Sequence, residues 1–272
     1  MPELPEVETI KKQISPYLPC KVVFISYSDV SGSIVKEKSF SPIGKEILSV
    51  KRQGKVLLFD FEQDFKLISG LGMSGSWRIS TTKIKEKHTH VQIKTLNSKG
   101  ETIFFGYIDP RRFGNMHFLT NDEAAQWLTR LGEDVSTPNF TADYILEKCK
   151  RYPNKKIKPY LLEQNHFAGV GNYMASEICA RAKVLPDRTA GSISKKEAEN
   201  LLNATQTVLD DAIKTNGTTF SGGYQDAFGE KGAGVQNLVV FYQDTCKMCN
   251  KTKVKKITLA GRGTYYCSSC QK

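Results

Sequence analysis

Two CxxC pairs, Cys246-Lys247-Met248-Cys249 and Cys267-Ser268-Ser269-Cys270, stand near the end of the chain with seventeen residues between them. No other feature restricts the fold as tightly. Each pair presents two sulfurs from one tight turn, and two such turns complete a tetrahedral shell around one Zn²⁺. The intervening length suits a β-hairpin, so the segment reads as a zinc ribbon. Four thiolates leave no open coordination position, which makes such an ion structural. Two disulfides or four free thiols are the competing arrangements, and neither fits an intracellular chain. Cys20, Cys149 and Cys179 stand singly and read as small buried apolar residues.

The same segment is basic. Residues 246–272 carry Lys247, Lys251, Lys253, Lys255, Lys256, Arg262 and Lys272 and no acid. Four thiolates on Zn²⁺ contribute a charge of −2, so about +5 remains on these 27 residues. Over all 272 residues, 39 Lys and Arg against 28 Asp and Glu give +11. An excess of this size attracts polyanions, of which nucleic acid is the commonest inside cells. No apolar run approaches the ~18 residues of a membrane span, and the N-terminus lacks the basic and apolar regions of a signal peptide. A cytoplasmic location and no membrane partner are expected.

Upstream of the ribbon, the hydrophobic period divides the chain. Residues 5–18 read as a helix, with Pro5 in the first turn and Val7, Ile10, Ile14 and Leu18 at spacings of three and four. From Lys21 to about Leu119 the pattern turns to short β-branched or aromatic runs broken by Gly, Asn-Ser and Asp, which suggests an antiparallel sandwich or barrel. Thr120-Asn121-Asp122-Glu123 has the form of a capping box and opens a helix ended by Gly132. Residues 133–139 read as a linker, so a first domain is expected over 1–132. Helices are then expected around Tyr144–Cys149, from Pro159, after Gly171-Asn172, and from a second capping box at Ser194-Lys195-Lys196-Glu197. Residues 217–234 read as a long functional loop closing a helical domain over 140–234, with the ribbon domain over 235–272. The fold class is α+β.

Chemistry is suggested at the other end of the chain. Removal of Met1 leaves Pro2 with a secondary α-amine, which titrates near ~8 rather than the ~10.4 of lysine. Such an amine attacks an aldehyde-like carbon and forms an iminium ion. Glu3 and Glu6 lie close enough in sequence for proton transfer. Taken alone, the same residues more ordinarily describe a frayed terminus whose prolines only start a helix, and another feature of the chain must overturn that reading.

The two ends read together resemble a known family. Met1-Pro2-Glu3-Leu4-Pro5-Glu6-Val7-Glu8-Thr9 is similar to the N-terminus of the formamidopyrimidine-DNA glycosylases, the Fpg branch of the Fpg/Nei superfamily. Leu71-Gly72-Met73-Ser74-Gly75, Lys87-His88-Thr89-His90-Val91, Asp109-Pro110-Arg111-Arg112-Phe113-Gly114, Gly169-Val170-Gly171-Asn172-Tyr173 and the ribbon follow in the family's order across nearly the whole chain. The resemblance implies an N-terminal β-sandwich flanked by helices, then a helix–two-turns–helix domain ending in a zinc ribbon. It implies a monomeric bifunctional glycosylase and abasic-site lyase that acts on duplex DNA containing oxidised purines or abasic sites.

It also implies roles for single residues. Pro2 is the nucleophile, Glu3 the proton shuttle with Glu6 in support, Lys55 a catalytic lysine for protonation and β-elimination, and Arg262 a phosphate grip that assists δ-elimination. Met73, Arg111 and Phe113 fill the gap left by a flipped base. His88, Lys158 and Asn172 bind DNA, and Thr218, Thr219 and Tyr224 belong to a loop that caps the flipped base. Thr89 and Asn154 depart from the family's usual Asp and Lys. A Nei-like enzyme for oxidised pyrimidines is the nearest alternative, but Leu4 replaces the Gly usual there. A non-catalytic zinc-ribbon DNA-binding protein is another, and it predicts loss of Pro2, Glu3 or Lys55.

Overall fold

The computed structural model describes residues 2–221 and 223–272, which form two compact units. The first comprises residues up to Thr129 together with Thr215–Ala233, and the second Arg130–Lys214 with Gly234–Lys272.

In the first unit, α1 (Leu4–Ile14) is followed by nine strands: β1 (Cys20–Tyr27), β2 (Val35–Lys38), β3 (Glu46–Gln53), β4 (Val56–Phe61), β5 (Phe65–Gly70), β6 (Ser76–Ser80), β7 (Thr89–Asn97), β8 (Thr102–Ile108) and β9 (Asn115–Thr120). Helix α2 (Asn121–Leu128) follows. The strands form one hydrogen-bonded sheet in the order β2-β9-β5-β4-β3-β1-β7-β8-β6. All pairs are antiparallel except β2 with β9. Strand β1 pairs with β3 only through Cys20 and Lys21, whereas it follows β7 from Cys20 to Tyr27 with a bulge at Val22/Phe24. That short seam lets the sheet fold over on itself. Trp77 on β6 accordingly packs 5.2 Å from Phe59 on β4, a strand five places away in the sheet, and its indole N–H donates to Ser69 on β5 at 3.1 Å. The expected sandwich is therefore two halves of one continuous sheet, with Trp77, Tyr107, Phe105 and Phe118 buried between them.

Helix α1 lays Val7, Ile10 and Ile14 into this core, with Leu4 fully buried at its start, and a short 3₁₀ turn over Ser15–Tyr17 replaces the helix's expected last turn. The capping box at Thr120 forms as expected: Thr120 Oγ1 accepts from Glu123 N, and Glu123 Oε2 accepts from Thr120 N.

The second unit contains α3 (Ala142–Arg151), α4 (Ile157–Leu161), α5 (Asn172–Arg181) and α6 (Lys195–Lys214). Residues 133–139, expected as a linker, are folded into it. Strand β10 (Glu133–Asp134) pairs in parallel with β11 (Phe167–Ala168), and Val135 and Phe140 are buried. The two apolar side chains outweigh the turn-forming residues around them. The second capping box also forms, Glu197 N donating to Ser194 Oγ and Ser194 N to Glu197 Oε2. Helix α6 stops before Asn216 and Gly217, both at positive φ. A hairpin of β12 (Lys255–Leu259) and β13 (Arg262–Tyr266), turning at Ala260 and Gly261 with φ of 46° and 72°, forms the ribbon. No helix among the described residues is long and apolar enough to cross a membrane.

Candidate active site and nucleic-acid interface

The N-terminal segment is buried rather than frayed. Pro2 and Glu3 are shielded and Glu6 is fully buried. Glu6 lies one helical turn beyond Glu3, so its carboxylate reaches back over the first turn and accepts Glu3 N–H on Oε2 at 2.7 Å. Its other oxygen, Oε1, accepts Thr218 N–H at 2.7 Å. One carboxylate thus fixes both the peptide after Pro2 and the start of the 217–234 segment. The segment has no room to approach more closely: a Cβ on Gly217 would lie 2.9 Å from Glu6 Cγ.

Lys55 is half-buried in the tight turn between β3 and β4, where Gly54 has φ of 56°. Arg52 ties this turn to α1, donating from Nη1 to Gly54 O at 2.9 Å and from Nε to Glu8 Oε2 at 3.0 Å. The backbone that carries Lys55 is therefore referenced to the helix that carries Glu3 and Glu6.

Two further turns present the residues expected to enter a base stack. Met73 and Phe113 are exposed large apolar side chains, and the Arg111 guanidinium lies over the Phe113 ring at 4.9 Å. Asp109, fully buried, accepts from Ser74 Oγ at 2.5 Å and from the Gly114 and Arg111 amides at 2.8 and 3.3 Å. Gly72 sits at φ of 60° with its Cα against the Phe113 carbonyl, where a Cβ would collide. Nearby His88 is exposed at φ of 67°, and its carbonyl accepts Asp109 N–H at 3.1 Å.

The capping-loop residues are less accessible than expected. Tyr224 is buried within the core of the first unit, and burial beside the Glu6 and Asp226 carboxylates pushes its phenol well above the usual range. Thr218 is buried as well, while Thr219 Oγ1 donates to Tyr224 O at 2.8 Å and accepts Gly232 N–H at 2.9 Å. In this structure these side chains hold the loop's shape; the exposed large apolar side chain among the segment's described residues is Phe228.

In the second unit, Asn172 begins α5 after the Gly171 turn, and its Nδ2 donates to Gly263 O at 3.1 Å, beside the exposed Arg262. Lys158, expected to bind DNA, is fully buried and donates from Nζ to Asn172 Oδ1 at 2.5 Å. Packing inside the helical unit thus converts a surface expectation into support for Asn172. Glu177, missed by the sequence reading, accepts the N–H groups of Val239, Val240 and Phe241 at 2.8, 2.9 and 2.8 Å and so fixes the approach to the ribbon. Burial raises its carboxyl pKa against the pull of those amides and of Arg181. Its only sequence signal is an acid among the apolar residues of α5.

Cys246, Cys249, Cys267 and Cys270 converge with their sulfurs all within 4.8 Å of one another. A tetrahedron with Zn–S of ~2.3 Å has edges of about 3.8 Å. The Cys249 and Cys267 sulfurs lie 3.9 Å apart, so an all-thiolate donor set fits one such ion.

A buried proline at position 2 set among carboxylates, with a basic four-cysteine hairpin in the same chain, is the equipment of a nucleic-acid-processing enzyme. Comparison with known proteins agrees. Residues 1–116 match the sequence model of the formamidopyrimidine-DNA glycosylase N-terminal domain, and residues 131–222 that of its H2TH domain. A formamidopyrimidine-DNA glycosylase of Desulfitobacterium hafniense is 37% identical over the full length of both chains. The Lactococcus lactis Fpg in complex with abasic-site DNA superposes over both full chains with a TM-score of 0.87 at 30% identity. MutM bound to DNA containing carbocyclic 8-oxo-G superposes as completely, at 0.86 and 30%. The chain belongs to the formamidopyrimidine-DNA glycosylase family.

Proposed function

We infer that this protein is a base-excision-repair enzyme that removes oxidised purines, 8-oxoguanine and formamidopyrimidines, from duplex DNA and then cleaves the strand. The observation that carries the mechanism is the Glu6 carboxylate, which holds the peptide after Pro2 and the loop at Thr218 in one place. With Met1 removed, the Pro2 amine attacks C1′ of the flipped nucleotide. The bond from C1′ to the base breaks, its electron pair leaves with the base, and Glu3 serves as the nearby proton shuttle. The C1′–O4′ bond then breaks, O4′ takes a proton by way of the Glu3 shuttle, and the amine nitrogen's electron pair forms the C1′ iminium. This acidifies the C2′ proton, whose loss expels the 3′-phosphate. Lys55 serves protonation and this elimination, and Arg262 holds phosphate for the second elimination. Glu6 acts as a positioning residue, since backbone amides occupy both of its oxygens.

Arg111, Met73 and Phe113 enter the stack where the base has left, and His88 and Asn172 bind the DNA backbone. The four cysteines hold one Zn²⁺ that fixes the hairpin bearing Arg262 and supplies no reaction step. The protein acts as a monomer in the cytoplasm.

Borohydride trapping on a duplex with one 8-oxoguanine opposite cytosine tests this reading. A covalent adduct that Pro2→Gly abolishes is expected. No adduct with metal-loaded protein lacking Met1 rejects it.

A further inference from the structure

Strand β6 is the last strand of the sheet, and its outer edge is covered by the 217–234 segment: Ile79 N–H donates to Ala227 O at 3.0 Å, and Ser76 Oγ to Gln225 O at 2.8 Å. Between these two bonds lies Arg78, a charged residue 6% exposed. Its Nη1 donates to Asp226 O at 2.7 Å, its Nη2 to Gln225 Oε1 at 2.6 Å, and its Nε to Glu86 Oε1 at 3.0 Å. Gly229 runs alongside the guanidinium, where a Cβ would meet Arg78 Nε in ordinary contact at 3.8 Å.

Asp226 is the matching half. Its Oδ1 accepts the Phe228 and Glu230 amides at 3.0 and 2.9 Å, which shapes the turn that displays Phe228. Its Oδ2 accepts Gln13 Nε2 at 2.6 Å, and Gln13 Oε1 accepts Ala227 N–H at 2.8 Å. Gln13 stands on α1, the helix whose start carries Glu3 and Glu6. The Arg78 guanidinium also has Glu86 and its own strand as partners, but its Nη2 bond and its shortest Nη1 bond go to the loop. The buried Asp226 carboxylate is bonded only to neutral groups, so loss of the loop's placement leaves buried polar groups unpaired.

We propose that Arg78, Asp226 and Gln13 form a clasp that positions the distal half of the loop on β6 and α1, and that the clasp serves base capture rather than strand cleavage. This rests on the reading of the loop as the cap over a flipped base. None of the three touches DNA; each acts through the loop, as a positioning residue. Base excision needs the cap, because the damaged base must be held while its bond to C1′ breaks. Cleavage at a preformed abasic site has no base to hold.

The test compares Arg78→Met and Gln13→Met with the unaltered, metal-loaded protein in single turnover. One duplex carries 8-oxoguanine and the other a preformed abasic site. Excision is expected to fall 10- to 100-fold, while abasic-site cleavage stays within about threefold. Hydrogen exchange at the Phe228 and Glu230 amides, measured without DNA, is expected to accelerate at least tenfold. An equal loss on both duplexes, or unchanged exchange, overturns the proposal. If Arg78→Met does not fold, Gln13→Met decides by the same criteria. If the unaltered protein excises no 8-oxoguanine, the glycosylase reading fails, and the exchange measurement still judges the clasp.

Discussion

The Ser74 hydroxyl donates to the buried Asp109 carboxylate at 2.5 Å, and that bond joins the turn carrying Met73 to the turn carrying Arg111 and Phe113. Asp109 suits the position because an ionised carboxylate only accepts, and here it faces one hydroxyl and two amides. Asp109→Asn turns an N–H toward one of those donors. A loss of about 1–3 kcal/mol is expected, the scale of an unmade buried hydrogen bond. Binding to a lesion-containing duplex is expected to weaken about tenfold, because 1.4 kcal/mol of lost positioning is one decade in affinity. Ser74→Ala removes one bond and is expected to cost about 0.5–1.5 kcal/mol. Denaturant unfolding and DNA titration check both. Wild-type stability and binding in Asp109→Asn would show that the turns are independent.

Glu6 offers a second test of acceptor geometry. Glu6→Gln cannot satisfy both Glu3 N–H and Thr218 N–H, since one of its two side-chain atoms becomes a donor. The expected cost is again about 1–3 kcal/mol of stability. The rate of borohydride trapping is expected to fall at least tenfold, because the peptide next to Pro2 loses its anchor. Trapping at the wild-type rate would mean that Glu6 does not position the nucleophile.

What the sequence revealed divides along physical lines. Capping boxes at Thr120 and Ser194 were legible because they depend on residues three apart, and the four cysteines because a metal fixes their spacing. Local rules could not show that Lys158 is buried or that Tyr224 lies in the core, since a lysine and a loop tyrosine read as surface groups until the packing partners are known. Strand β2, Val35–Lys38, has no inward-facing alternation and is a strand only because β9 runs beside it. The return of residues 215–233 to the first unit is a tertiary event made by Glu6, Gln13 and Arg78, none of them near that segment in sequence.

The ribbon gives a metal prediction. Its hairpin pairs only five residues per strand and is too small to hold itself, so the cysteine cluster is expected to be its main staple. Chelation is expected to release one zinc per chain and to abolish DNA binding, while the first unit keeps its fold by near-ultraviolet circular dichroism of Trp77. Affinity of the intact protein is expected to fall steeply with salt, as counterion release requires when lysines and arginines meet phosphates. Unchanged affinity after metal loss, or a flat salt dependence, would remove the ribbon from the interface.

The start of α6 supplies a pH prediction with a definite sign. The Arg188 guanidinium beside Glu197, together with the Ser194 amide and hydroxyl, lowers the Glu197 carboxyl from its ordinary value near 4.5 to about 2. A group whose pKa is lower in the folded state stabilises the fold above its unfolded value, and that contribution disappears as pH falls through the folded value. The window is therefore from about 4.5 down to about 2. Both partners are partly exposed, so solvent screening limits the ion pair to about 0.2–1 kcal/mol. Glutamine at this position keeps the reciprocal capping-box bond, so Glu197→Gln is expected to lose only the ionic share, about 0.2–1 kcal/mol, at pH 7. Its deficit is expected to shrink steadily below pH 4.5 until the two proteins unfold alike near pH 2. Denaturant titrations at several pH values follow this directly, and a deficit that stays constant down to pH 2 would show that the Glu197 charge contributes nothing to the fold.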